Sequence, residues 1–199
     1  MIAKHDLEKM YIKEHKSMQD IAREFKCSLN KVKYWMDIYG IQPRSISEAI
    51  YLKNNPKGDP FKINKLTSKN DLILMGLGLG LYWGEGTKSN KNSIRLGNTD
   101  PALILNFIKF MDRVYGIRKN KLKFGLQIFN DIIPQEALSF WTDTLGVGYD
   151  KFQKVVVTPS RGAGTYRKKV KFGVITIYYH NKKLRDILCG ELKKMGFCD

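Results

Sequence analysis

Hydrophobic positions recur every three to four residues through the first sixty residues and shift toward alternation further on, so the chain reads as a helical segment followed by a mixed one. Leu7, Met10, Tyr11 and Glu14 set the stripe of a first helix. Ser17 is a suitable N-cap, and Asp20 three residues later completes a capping-box pair ahead of a short helix burying Ile21, Ala22 and Phe25. A turn at Lys26-Cys27 leads to Ser28, a second N-cap. Val32, Trp35, Met36 and Tyr39 form the stripe of the third helix, and Gly40 stands where a C′ glycine ends it. Ser47 to Lys53 is a brief further helix, and Asn54-Asn55-Pro56-Lys57-Gly58-Asp59-Pro60 is dense in turn formers.

Beyond that turn-rich stretch the glycine-rich segment Leu72 to Gly86, which contains the longest apolar run, predicts a helix capped by Ser68 or Asn70 and closed by Gly86. A strand is expected near Ile94, then a helix on Leu103, Phe107, Phe110 and Val114. From Lys121 to Phe129 the pattern alternates, with Leu122, Phe124, Leu126 and Ile128 on one face and Lys121, Lys123, Gln127 and Phe129 on the other. Pro134 to Leu145 reads as a helix carrying Ala137, Phe140, Trp141 and Leu145. Phe152 to Thr158 and Lys171 to Tyr179 read as strands, and Leu184, Ile187, Leu188, Leu192 and Met195 mark a closing helix. Ile94 to Ile104 and Ile177 to Ile187 echo each other as strand, asparagine (Asn98, Asn181) and helix, which suggests two half-domains.

Charge narrows the choice of partner. The formal net charge is +16, from 35 Lys and Arg against 19 Asp and Glu. Residues 1–60 hold 11 against 8, or +3, while residues 61–199 hold 24 against 11, or +13. Such an excess steers a protein toward phosphate backbones. An anionic membrane surface would call for a basic amphipathic helix with one large apolar face, and none stands out. The run from Leu72 to Trp83 is shorter than the ~20 residues a bilayer span needs. Three widely spaced cysteines, Cys27, Cys189 and Cys198, argue for a reducing compartment, and no apolar signal core follows Met1, so a cytoplasmic location is expected. No Cys/His cluster suggests zinc. Lys151 to Lys171 carries seven Lys and Arg and no acidic residue, and its Pro159–Val170 connector combines glycine, Ser/Thr and cations in a way that suits close approach to phosphates.

The segment from Met18 resembles the helix-turn-helix family, with Ile21, Ala22, Phe25, Cys27, Val32 and Trp35 at the apolar places and Ala22 as the small residue between helices. Lys26 stands where that family usually has a glycine at positive φ, a strain of ~1 kcal/mol for a non-glycine residue. The resemblance implies that the third helix enters the major groove, with Ser28, Asn30, Lys31, Lys33 and Tyr34 near DNA and Arg44 as a short arm on phosphate. The plainer alternative is a three-helix packing module.

The stretch Leu72 to Gly86 holds five glycines, which weaken an isolated helix by ~1 kcal/mol each. Gly76, Gly80 and Gly84 recur every four residues on one face, where two helix backbones can touch. The opposite face, with Leu72, Leu79 and Trp83, is expected to pack on its own domain. Glu85 ends the helix, where the macrodipole disfavours a carboxylate. Two Glu85 side chains brought together by helix pairing would repel by about 3 kcal/mol at roughly 6 Å and an effective dielectric near 20, a cost that a Mg²⁺ ion relieves.

Leu77-Gly78-Leu79-Gly80-Leu81-Tyr82-Trp83-Gly84-Glu85-Gly86 looks like the motif of the LAGLIDADG homing endonucleases, and Ile94-Arg95-Leu96-Gly97-Asn98-Thr99-Asp100 resembles the strand and helix start that lie downstream of the motif in that family. The resemblance, over roughly residues 71–195, implies an α+β fold: a small three-helix helix-turn-helix over 1–52, a linker over 53–66, and a LAGLIDADG-type αβ domain over 67–199 with a saddle-like antiparallel sheet. It implies a homodimer joined along Gly76, Gly80 and Gly84, acting on double-stranded DNA. Glu85, with Gly84 beside it, would ligand Mg²⁺, and Lys171 or Gln127 would complete the catalytic site. Lys88, Arg95, Lys121, Lys123, Lys154, Arg161, Arg167, Lys168 and Lys169 are the candidate DNA contacts of the basic domain. The family's earlier aspartate is replaced by Trp83. Two alternatives remain beside the endonuclease: a non-cleaving transcriptional regulator that keeps the fold, and an RNA-binding or splicing accessory protein.

Overall fold

Leu7, Met10 and Tyr11 are all buried, so the first stripe is a core stripe. The computed structural model describes residues 1–159 and 170–197, and the chain divides into two compact units, Met1–Pro60 and Phe61–Asp199. In the first unit α1 (Lys4–Leu7) runs into a π-helical stretch, Glu8–Lys13, and α2 (Met18–Glu24), α3 (Leu29–Ile38) and α4 (Ile46–Asn54) come after it. Glu14 departs from the expected stripe. It is the exposed C-cap of the π-helical stretch and pairs with Lys16 at 3.1 Å.

The capping pair at α2 is complete: Ser17 Oγ accepts from the Asp20 amide at 3.1 Å, and the Asp20 carboxylate accepts from the Ser17 amide at 3.2 Å. Ser28 caps α3 in the same way, through the Lys31 amide. Ile21, Ala22, Val32, Met36 and Ile41 close the core, with Phe25, Trp35 and Tyr39 packed at its edge. Lys26, in the turn between α2 and α3, has φ +48°, the left-handed conformation that sets the angle of entry into α3. Ser45 caps α4, which buries none of its own residues.

The second unit begins inside the stretch 53–66. The Lys62 and Asn64 amides donate to the Tyr115 and Val114 carbonyls at 3.0 and 2.9 Å, and Phe61 is buried. Then come α5 (Lys69–Glu85), β1 (Ile94–Asn98), α6 (Pro101–Tyr115), β2 (Lys123–Phe129), α7 (Pro134–Leu145), β3 (Val156–Thr158), β4 (Val174–Tyr179) and α8 (Lys182–Lys194). Helix starts obey the sequence: Ser68 with Asp71 at α5, Asp100 with Pro101 at α6, Pro134 at α7 and Asn181 at α8. Gly116 and Gly146 end α6 and α7 in the left-handed conformation.

The sheet order is β1-β4-β2-β3. β4 pairs antiparallel with β1 and β2, whereas β3 pairs parallel with β2, so the sheet is only partly antiparallel. The physical reason is the intervening α7: a parallel neighbour needs a crossover connection, and a helix supplies it. Three strands are shorter than their alternation suggests, because Leu122 precedes β2 as a buried residue outside the ladder, Phe152 makes only an isolated bridge to Phe124, and Lys171 lies in the turn before β4. One sheet face supplies Ile94, Leu96, Phe124, Leu126, Ile128, Ile175 and Ile177 to the core, against Phe107, Phe110, Trp141 and Leu188 of the helices.

Candidate nucleic-acid interface

On α3, Asn30, Lys31, Lys33 and Tyr34 are exposed beside the cap Ser28. Val32 and Met36 are buried behind them, so helical periodicity separates a core stripe from a free polar face. Arg44 is not part of that face. Its Nη2 donates to the Tyr11 and Lys16 carbonyls at 2.6 and 2.7 Å, and its Nη1 to the His15 carbonyl at 3.1 Å. Its guanidinium also lies 3.8 Å from the Tyr11 ring centroid. The residue expected as a phosphate arm is therefore spent on the carbonyls that the end of the first helix leaves open.

In the second unit the sheet face opposite the core is built in cross-strand rows, half-buried apart from Lys123, Gln127 and Val156, which are exposed. Arg95, Tyr178 and Lys123 stand in register, then Gly97, Thr176 and Gly125, then Val174, Gln127 and Val156. None of these residues is acidic. Strand alternation placed Lys123 and Gln127 there correctly. Arg95 is half-buried, its Nε donating to Ser93 Oγ at 2.9 Å. Lys121 lies instead in a 3-10 turn, Lys154 in the loop before β3 and Lys171 in the turn before β4, with its Nζ 5.2 Å from the Phe172 ring. Lys88 folds back on its own helix end: its ammonium donates to the Trp83 carbonyl in an exposed contact and so caps the negative end of α5. Arg161, Arg167, Lys168 and Lys169 lie outside the described residues. Tyr178 and Thr176 were missed, although the same alternation in Val174–Tyr179 would have found them.

α5 presents two unlike faces. Asp71, Leu74, Gly78, Leu79 and Tyr82 are buried. A Cβ on Gly78 would fall on the Phe110 ring of α6, so this glycine is consumed by packing within the chain. Asp71 is 6 % exposed and takes both Arg113 Nε and Nη2, at 2.6 and 2.8 Å. Burial, with Cys189 close by, pushes the Tyr82 phenol up to about 12, against the pull of Arg185.

The outer face is different. A Cβ at Gly76, Gly80 or Gly84 would meet nothing within 4 Å. Leu72, Ile73, Leu77 and Trp83 on this helix are 62, 57, 42 and 47 % exposed. Leu72 and Trp83 therefore do not pack inward as expected: the helix turns 100° per residue, which carries them to the glycine side while Leu79 alone is buried. Trp83 instead stacks on Phe197, with ring centroids 4.9 Å apart.

Glu85 is exposed at the end of α5 and makes no hydrogen bond or ion pair among the described residues. The next residue, Gly86, bridges to Leu96, which fixes Glu85 beyond the β1 edge of the sheet. Gln127 lies on β2, with β4 and β1 between, so within one chain the three expected catalytic residues are not brought together. Among the described residues no three His, Cys, Asp or Glu side chains gather as a metal site. No described helix is long and apolar enough to cross a membrane. Compared with family models, curated proteins and solved structures, the chain matches none.

Proposed function

We propose that the protein binds double-stranded DNA as a homodimer joined along α5, and that it is a Mg²⁺-dependent endonuclease of the LAGLIDADG kind. One observation carries this reading: the glycine stripe of α5 is empty. Gly78 is filled by Phe110, but Gly76, Gly80 and Gly84 face open space, flanked by exposed Leu72, Ile73 and Leu77. Four glycines within α5 are costly, and three that meet no neighbour among the described residues fit a second backbone laid against them.

Such pairing sets Glu85 of each chain near the two-fold axis. A lone exposed carboxylate is a poor metal site by itself, and two of them together with a DNA phosphate form an oxygen-rich one. Bound there, Mg²⁺ would polarise the phosphodiester and lower the pKa of an attacking water. Glu85 holds charge at that point, the exposed α3 residues position the duplex, and Arg95, Lys123 and Gln127 line the sheet face opposite the core. Lys171, in the turn before β4, and the cations of 160–169 add to the positive charge of the same unit.

A second reading, a regulator that binds without cleaving, is favoured by Trp83, which stands in place of an acidic residue of the motif. Plasmid nicking separates the two. Wild type is expected to nick DNA from the chain's own genomic neighbourhood only with Mg²⁺, and Glu85→Gln to bind but lose nicking by orders of magnitude. No Mg²⁺-dependent nicking by wild type, with undiminished duplex binding, gives the case to the regulator.

A further inference from the structure

The Arg95–Tyr178–Lys123 row holds an aromatic ring in an unusual setting. A Cβ built on Gly125 would lie 2.9 Å from Tyr178 Cε2 and 3.2 Å from its hydroxyl oxygen, so the ring leans along the sheet into the space that glycine leaves. The ring is nearly parallel to that of His180, with an interplanar angle of 9° and centroids 6.1 Å apart. Arg95 Cζ lies 5.3 Å from its centroid. The Tyr178 hydroxyl makes no hydrogen bond among the described residues.

The surroundings select a partner. The adjacent row is Gly97, Thr176 and Gly125: the half-buried ring lies over Gly125, whose missing side chain lets it lie along the sheet, and Thr176 is the row's one side chain. Arg95 and Lys123 flank Tyr178 on neighbouring strands, about 10 Å apart at two strand spacings, and the rows hold no carboxylate to repel an anion. Lys123 reaches back only to the Asp150 carbonyl, at 3.3 Å. A flat aromatic face between two cations matches the alternation of base and phosphate in a nucleic-acid strand whose bases are free to stack.

We propose that Tyr178 is a stacking platform for an unpaired nucleobase, with Arg95 and Lys123 taking the phosphates on either side, so that this sheet face engages single-stranded DNA. The proposal rests on the nucleic-acid reading above but not on cleavage or on duplex recognition.

The test uses the full chain and a short single-stranded oligonucleotide carrying one 2-aminopurine, read by quenching of its fluorescence, with anisotropy of the matching duplex measured in parallel. Wild type and Tyr178→Phe are expected to quench alike. Tyr178→Ala should lose the quenching and bind the single strand about tenfold more weakly, a larger loss than the same change causes on the duplex, whose bases are not free to stack. Arg95→Ala and Lys123→Ala should each flatten the salt dependence of single-strand binding while leaving the quenching. Equal quenching by wild type and Tyr178→Ala overturns the platform, as does failure of Tyr178→Phe to quench while its thermal melt matches wild type. Duplex binding without single-strand binding also overturns it and leaves the reading above standing. Failure of wild type to bind either form overturns both.

Discussion

Asp71 lies in the first turn of α5, where the Arg113 guanidinium holds its carboxyl well below the usual carboxylate range, against an opposing push from burial. Hydrogen bonds from Ser68 add to the lowering. Because the folded value is depressed, this pair stabilises the fold above the pH near 4 at which an unfolded aspartate titrates, and that contribution is lost as pH falls through the folded value. Asp71→Asn should destabilise the protein at neutral pH and flatten the acid limb of its stability curve by up to about one proton. Urea midpoints across an acid series check this, and an unchanged slope refutes it. Lys26 makes a second case. With φ +48° it occupies a conformation that suits glycine, so Lys26→Gly should raise stability by up to about 1 kcal/mol, read as a later urea midpoint.

Two glycines of one helix give opposite expectations at the scale of the element. At Gly78 a methyl group meets the Phe110 ring, so Gly78→Ala should cost about 1–3 kcal/mol through forced repacking of α5 on α6. At Gly80 nothing stands within 4 Å, so Gly80→Ala should stabilise the isolated helix face by about 1 kcal/mol. Gly80→Leu leaves the chain's own core untouched and blocks a second backbone. Sedimentation should then show a monomer where wild type is a dimer, while the melting transition stays intact. A strictly monomeric wild type, on DNA as well as off it, removes the premise. The glycine spacing was readable in the sequence, and so was the side of Leu72 and Trp83, since Leu72 stands four residues before Gly76 and Trp83 falls about 20° from it; with apolar residues on both sides, periodicity could not choose which face the chain's own core would cover.

For the whole molecule, charge is divided unequally: +3 over 1–60 from 11 Lys and Arg against 8 Asp and Glu, and +13 over 61–199 from 24 against 11. Duplex affinity should fall steeply with salt, and replacing Lys31 and Lys33 together with alanine should reduce the slope by about two at most. An unchanged slope and affinity would remove α3 from the interface. The same pair tests whether the first unit contributes to binding at all, since its net charge is small and its Arg44 is held within the fold.

The serine caps of α2 and α3 were determined by the sequence alone, since each depends on hydrogen bonds within a few neighbouring residues; the left-handed Lys26 was expected only from the family resemblance, because lysine's own sterics disfavour it. The alternation in β2 likewise foretold which of its side chains are buried. Tertiary structure decided the rest. Only packing shows that β3 runs parallel to β2, that Arg44 and Lys88 are spent on backbone carbonyls, and that Tyr178 leans over Gly125 between two cations. Each of these joins residues distant in sequence or folds a long side chain back onto a backbone carbonyl, and a local pattern carries no record of either choice. The same holds for α5: its composition marks two close-packing faces, and among the described residues the fold of a single chain fills one and sets nothing within 4 Å of a Cβ on the glycines of the other.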